Sequence, residues 1–177
     1  PGIYQQKNAA LVLEVTEVLR SLGLELPEKA VREGLATVKW QARLETVQKK
    51  PLLLVDGSHN PQGMQATVDS LQQYFPDRKL QFVFGAMADK ELDVMIDLFL
   101  PLAKKIVITA PSMPRAMEPE ALYALCEEKC KGRYKVELQL CPKVTDAVQY
   151  VKKENADEVI VAIGSLYLVG EIKQVLA

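Results

Sequence analysis

Apolar residues run through most of this chain in short continuous blocks, separated by stretches with apolar positions at helical spacing. Leu52–Val55, Lys79–Phe84, Ile106–Thr109, Lys135–Leu140 and Val159–Ile163 read as strands. A continuous run such as Leu52–Val55 marks a strand buried on both faces. Met64, Val68, Leu71 and Phe75 then fall on one helical face, as do Leu92, Ile96 and Phe99, with Pro101 as terminator. A helix from about Pro119 to Lys129 follows, then one marked by Val144, Ala147, Val148 and Val151, and a last one with Leu168, Ile172 and Val175 inward. Upstream, Leu11, Val15, Val18, Leu19 and Leu22 form one stripe over residues 5–22, closed by Gly23. A short helix runs from Pro27 to about Leu35, and Trp40 to Lys50 alternates weakly, as an edge strand would. Strands alternating with helices of about a dozen residues predict an α/β fold, Rossmann-like. The sheet is expected to be mostly parallel and doubly wound, with one antiparallel edge strand and helices on both faces.

In such a sheet the carboxyl ends of the strands share one edge, where open α/β folds bind ligands. That edge collects Asp56, Ser58, His59 and Asn60 from one loop and Asp89 and Lys90 from the next. Ser112 and Arg115 come from a third, and Gly164 and Ser165 from the last. An acid, a base, a cation and a hydroxyl at a helix start suit a charged ligand. Asn60 is a good N-cap and Pro61 suits the first helical position. His59, the one histidine, either bonds a backbone carbonyl in its loop or meets a ligand. Asp56 either holds backbone amides in its own turn or accepts from a ribose. Lys90 is read as opening a helix, where a cation is mildly unfavourable and a partner carboxylate is expected. Ser165 is an N-cap or an anion binder. Cys126 and Cys130 share a helical face, but no further His or Cys lies at zinc spacing, so both read as packing.

Composition narrows this further. With 177 residues, 49% of them hydrophobic, the chain can bury one real core. A formal net charge of −1 gives no reason to expect a nucleic-acid or acidic-membrane partner. No apolar run reaches the roughly 20 residues of a membrane span. Three cysteines without a paired framework suggest a reducing compartment, the cytoplasm. Neither a Gly-x-x-x-x-Gly-Lys-Ser/Thr phosphate loop nor a Gly-x-Gly-x-x-Gly fingerprint is present, which sets a dinucleotide oxidoreductase low. A sheet of this kind can hold a ligand but lacks its own triphosphate cradle. The chain starts at Pro1 rather than Met, and a start inside a longer protein is expected.

Particular residues add a resemblance. Asp56-Gly57-Ser58-His59-Asn60-Pro61 resembles the Asp-Gly-Ala-His-Asn-Pro signature of folylpolyglutamate synthase and dihydrofolate synthase, folate-directed members of the Mur ligase superfamily. Trp40-Gln41-Ala42-Arg43-Leu44-Glu45 is similar to the family's Trp-Pro-Gly-Arg-x-Glu, and Met87-Ala88-Asp89-Lys90 to its Met-x-Asp-Lys loop. The segment Gly164 to Glu171 resembles its C-terminal signature, and Gln5-Gln6-Lys7-Asn8-Ala9 its Gln-x-x-Asn-Ala helix start. The departures are Ser58 for Ala, and Gln41-Ala42 for Pro-Gly before Arg43.

The resemblance implies an ATP-dependent ligase that adds L-glutamate to dihydropteroate, to tetrahydrofolate or to both, through an acyl phosphate. It implies that Asn8 contacts adenine, Asp56 the ribose and Arg43 the ribose–phosphate region, with His59 and Asn60 beside the nucleotide. Lys90 and Ser165 would hold glutamate, and His59 and Lys90 would be the catalytic candidates. Residues 1–39 would be the helical tail of a preceding central ATPase domain, and 40–177 a Mur ligase-type C-terminal domain. The phosphate loop and the ligands of Mg2+ would lie in the N-terminal part, with no metal ligand here, and the piece alone is expected to be inactive. A monomer is expected. The alternatives are another Mur-type amino-acid ligase and a non-catalytic nucleotide- or ligand-binding module.

Overall fold

The computed structural model describes residues 2–177. Two helices come first, α1 (Gln5–Ser21) and α2 (Glu28–Thr37), and then an edge strand β1 (Glu45–Lys49). The alternating part runs β2 (Leu52–Val55), α3 (Pro61–Tyr74), β3 (Leu80–Phe84), α4 (Leu92–Phe99), a 3-10 turn (Leu100–Leu102), β4 (Ala103–Ala110), α5 (Pro119–Cys130), β5 (Glu137–Lys143), α6 (Val144–Val151), β6 (Val159–Ile163) and α7 (Leu166–Leu176). The strand order is β1-β2-β6-β3-β4-β5. β1 pairs antiparallel with β2, and every other pair is parallel. The expected α/β sheet with one antiparallel edge is therefore present.

Alternation along each strand sorts side chains to two cores. Leu54, Phe82, Phe84, Ile106, Ile108, Val161 and Ile163 join Met64, Leu71, Ile96, Phe99 and Cys126 from α3, α4 and α5 on one face. Phe99 packs on Phe82 and Phe84 with centroids 4.8 and 5.1 Å apart. Leu53, Val55, Val83, Val107, Ile160 and Ala162 join Val148, Leu168 and Ile172 from α6 and α7 on the other. The chain steps outward from β2 through β3 and β4 to β5, then returns to place β6 between β2 and β3. The neighbouring strands β2 and β6 thus send their following helices to opposite faces. Their carboxyl ends flank a switch point of the kind at which doubly wound sheets open a crevice.

Two features differ from expectation, and a third concerns a face whose cover the sequence left open. The stripe Leu11, Val15, Val18 and Leu22 lies on the expected helix, α1, which buries none of its residues and leaves these four exposed. No element covers that face among the described residues. β4 starts at Ala103, ahead of Ile106, because the two lysines that look polar in sequence carry their charges to Glu158 and Glu154. Lys90 does not open α4: the helix begins at Leu92 with Glu91 at its cap, so the macrodipole cost assigned to Lys90 does not arise.

Candidate nucleotide cleft at the switch point

The loop after β2 is built around one carboxylate. Asp56 is 1% exposed and accepts four hydrogen bonds. Its Oδ1 takes the amide of Ser58 at 2.9 Å and the hydroxyl of Thr67 at 3.1 Å. Its Oδ2 takes the amide of Leu44 at 2.9 Å and the phenol of Tyr4 at 2.9 Å. A carboxylate offers about four lone-pair positions, so Asp56 is fully engaged. Burial, and then the Asp56 charge and hydrogen bond, push the Tyr4 phenol well above its ordinary value.

Arg43 sits in a turn whose flanking residues Ala42 and Leu44 both have left-handed backbone, φ 55° and 46°. Three bonds hold that turn. Leu44 N–H donates to Asp56, Gly57 N–H donates to the carbonyl of Ala42 at 2.8 Å, and Ala42 N–H donates to Glu45 at 2.9 Å. Glu45 is fixed in turn by Lys173 on α7 at 2.8 Å. The Arg43 guanidinium donates back to the Ala42 carbonyl at 3.0 Å. Ala42 therefore adopts a conformation that glycine takes freely, in a turn that lacks the Pro-Gly pair of the resembling motif.

Asn60 caps α3 as its sequence position suggests, accepting from Gly63 N–H at 2.7 Å. His59 Nδ1 lies 2.9 Å from the Gly57 carbonyl. Donation from Nδ1 to that oxygen leaves Nε2 as the unengaged ring atom. Asn8 is exposed on the first turns of α1, its amide donating to Gln5 at 3.0 Å. One cleft of about 310 Å³ is lined by Tyr4, Asn8, Arg43, Asp56, His59 and Asn60, together with Gln62 and Gly63 at the start of α3. A second, largely apolar cleft of about 640 Å³ between α1, α2 and the Trp40–Thr46 segment shares Asn8 and Arg43 with it.

Lys90 and Ser165 do not line either cleft. Lys90 is half-buried, with Nζ 3.3 Å from Asp89, the carboxylate partner that its position called for. Asp89 also faces the Arg115 guanidinium at 3.7 Å, and the Lys90 hydrogen bond holds its carboxyl below the ordinary value. Ser165 is buried and caps α7, accepting from Tyr167 N–H at 3.1 Å. The two loop systems nonetheless touch, since Gly164 N–H donates to the Ser58 carbonyl at 3.1 Å. Cys126 and Cys130 pack in the core, and burial with the neighbouring Cys130 pushes the Cys126 thiol up to about 12.

Tyr4 and Thr67, two of the partners of Asp56, are the residues of the site that sequence reasoning missed. Tyr4 precedes Asn8 by one turn, and Thr67 looks in sequence like one more helical residue beside Val68. Among the described residues no group of three or more His, Cys, Asp or Glu side chains is placed to hold a metal ion. The one carboxylate that lines the cleft already has all its acceptor positions filled, so it offers no free ligand position to Mg2+.

Residues 42–166 match the family described as "Mur ligase, glutamate ligase domain". The chain is 33% identical to the folylpolyglutamate synthase of Lacticaseibacillus casei, across 99% of this chain and 39% of that protein. It is 29% identical to the dihydrofolate synthase/folylpolyglutamate synthase of Bacillus subtilis, across 98% of this chain and 39% of that protein. Among solved structures, Mycobacterium tuberculosis folylpolyglutamate synthase complexed with ADP and AMPPCP superposes with a TM-score of 0.85 at 28% identity, covering 99% of this chain and 40% of that one. The chain thus spans about two fifths of the length of the relatives it matches. With the predicted sheet, the switch-point cleft and a family match over most of its length, this chain belongs to the Mur ligase glutamate ligase domain family.

Proposed function

We propose that this chain is the C-terminal part of an ATP-dependent ligase that adds L-glutamate to dihydropteroate, tetrahydrofolate or both. The observation that carries the reading is the cleft that brings together Asn8, Arg43, Asp56, His59 and Asn60 from three separate stretches of sequence. Similarity to folylpolyglutamate synthases over nearly the whole chain supports it. In this reading the exposed Asn8 carboxamide meets the adenine, Asp56 the ribose hydroxyls, and Arg43 the ribose–phosphate region. Arg43 is suited to that task, since a guanidinium pairs with phosphate oxygens through a rigid fork and its turn is fixed from three sides. His59 offers Nε2 to the same space, and Asn60 keeps its amide N–H2 free while its oxygen caps α3.

Glutamate is assigned to the neighbouring loops. Lys90 supplies a cation at the sheet edge and Ser165 a hydroxyl whose proton is not used by its capping bond. The amine of glutamate then attacks a folate acyl phosphate formed at the expense of ATP. Charge builds on the phosphoryl group and the tetrahedral centre, so positioned cations and excluded water do most of the work.

Residues 1–39 fit as the tail of a central domain and 40–177 as the closing domain. The exposed apolar stripe of α1 supports this division. No helix among the described residues is long and apolar enough to cross a membrane. We place the activity in the cytoplasm, a reducing compartment that suits the free thiols of Cys126, Cys130 and Cys141. The test is ATP- and glutamate-dependent ligation by the longest open reading frame containing this chain, on dihydropteroate and tetrahydrofolate separately. Activity that is lost with Arg43→Ala while the fold is kept supports the reading. Absence of ligation with either folate contradicts it.

A further inference from the structure

We propose that Tyr4 occupies the ribose subsite of the nucleotide cleft and must leave Asp56 before a nucleotide can dock, which makes the start of α1 an autoinhibitory plug. This rests on the reading of Asp56 as the ribose acceptor. Asp56 lines the cleft and yet is 1% exposed. Its four acceptor positions are filled, and three of the donors are parts of the α/β domain itself. Leu44 N–H fixes the Arg43 turn, Ser58 N–H fixes the loop after β2, and Thr67 Oγ1 fixes α3. Losing any of these would dismantle the site that the nucleotide needs. The Tyr4 hydroxyl is the donor that comes from outside the domain, and it too lines the cleft. A ribose hydroxyl is also an O–H donor, so it can replace the phenol bond for bond and leave Asp56 satisfied.

Tyr4 is also placed to leave. The helix that it precedes buries none of its residues. Among the described residues, Ile3 N–H also donates from this segment to the Ser70 hydroxyl on α3 at 3.1 Å. Exchange of the phenol for a ribose therefore frees the Tyr4 side chain while α1 keeps Asn8 in the cleft.

The test is a four-way titration of this chain and its Tyr4→Phe variant with ATP and with 2′,3′-dideoxy-ATP, with the fold of both proteins checked by circular dichroism. A hydrogen bond to a charged group is worth about 1.5–3 kcal/mol net, so removing the competing phenol should tighten ATP binding by roughly 13- to 160-fold. Dideoxy-ATP, which has no hydroxyl to offer Asp56, should gain from the variant as ATP does, because the phenol must leave in either case, while staying weaker than ATP in both proteins. ATP bound equally by both proteins but better than dideoxy-ATP overturns the plug and leaves the ribose reading intact. A gain for ATP alone also overturns it, since the phenol would then compete with the ribose hydroxyl without having to leave for docking. No preference for ATP over dideoxy-ATP in either protein, or no saturable binding of either, removes the ribose reading and the plug together. Should Tyr4→Phe fail to fold, Tyr4→Leu is read in the same way.

Discussion

The amide of Gly57 donates to the carbonyl of Ala42 at 2.8 Å, tying the loop after β2 to the turn that presents Arg43. These two segments are separated by the whole of β1 and β2, which pair antiparallel and return the chain to the same edge. The edge hairpin thus delivers a cation to the switch point, and the left-handed backbone at Ala42 lets its carbonyl reach Gly57.

That backbone makes the residue type at position 42 decisive. Ala42→Gly removes the steric cost of φ 55° but also one buried methyl, so denaturant unfolding should give a stability within about 1 kcal/mol of the parent. Ala42→Val sets a β-branched side chain in the same conformation and should cost at least about 2 kcal/mol. Equal stability of the two variants would contradict the strained turn.

Gly164 is a second fixed point. Its φ is +112°, and a Cβ there would lie 2.7 Å from the Gly85 carbonyl oxygen and 2.9 Å from the Phe84 ring. The nearer contact atom is backbone and cannot swing aside. Gly164→Ala should therefore destabilise the domain by about 2–3 kcal/mol, read as a lowered melting temperature. Gly57→Ala meets chiefly the end of the flexible Leu166 side chain and should cost less.

Arg43→Ala separates binding from folding. Among the described residues the guanidinium donates to the Ala42 carbonyl alone, so its loss should change stability by no more than about 0.5 kcal/mol. Nucleotide affinity should fall about tenfold or more, the scale of a lost charge-assisted contact. An unchanged affinity in calorimetry would remove Arg43 from the nucleotide site.

Acid stability has a defined source at the opposite end of the sheet. Burial pushes the Glu154 carboxyl up, but hydrogen bonds from Lys105 at 2.7 Å and Gln81 at 3.0 Å outweigh it and hold the group below its ordinary 4.5. The unfolded chain therefore takes up this proton first as pH falls. The contribution is complete above 4.5 and is lost as pH drops through the lower folded value. Glu154→Gln should be less stable than the parent at neutral pH, with the gap closing below 4.5. A gap that stays constant across that range in pH-dependent denaturation would show that the pair adds nothing.

How much of this could be read from sequence differs by element. The β2–α3 unit was legible because its signals are local: a continuous apolar run, then Asn60 and Pro61 in cap and first-turn positions. The gathering of Arg43, Asp56 and His59 followed from strand alternation and the resemblance. What was not legible depends on residues far apart in the chain. The bonds of Asp56 to Tyr4, Leu44 and Thr67 span sequence separations of 52, 12 and 11 and leave no periodic trace. The stripe on α1 gave the helix but not its surroundings, because periodicity reports an apolar face and not what covers it. Lys104 and Lys105 hid the start of β4 because their charges are paired across the sheet's lower edge, a fact of packing rather than of pattern.

The central claim is that the switch-point cleft is a nucleotide site. Its most direct test is a titration of the isotopically labelled chain with ATP, followed by amide NMR shifts. The account predicts that the largest shifts cluster at Tyr4, Asn8, Arg43 and the loop from Gly57 to Gly63. Shifts confined to other surfaces, or none at saturating nucleotide, would contradict it.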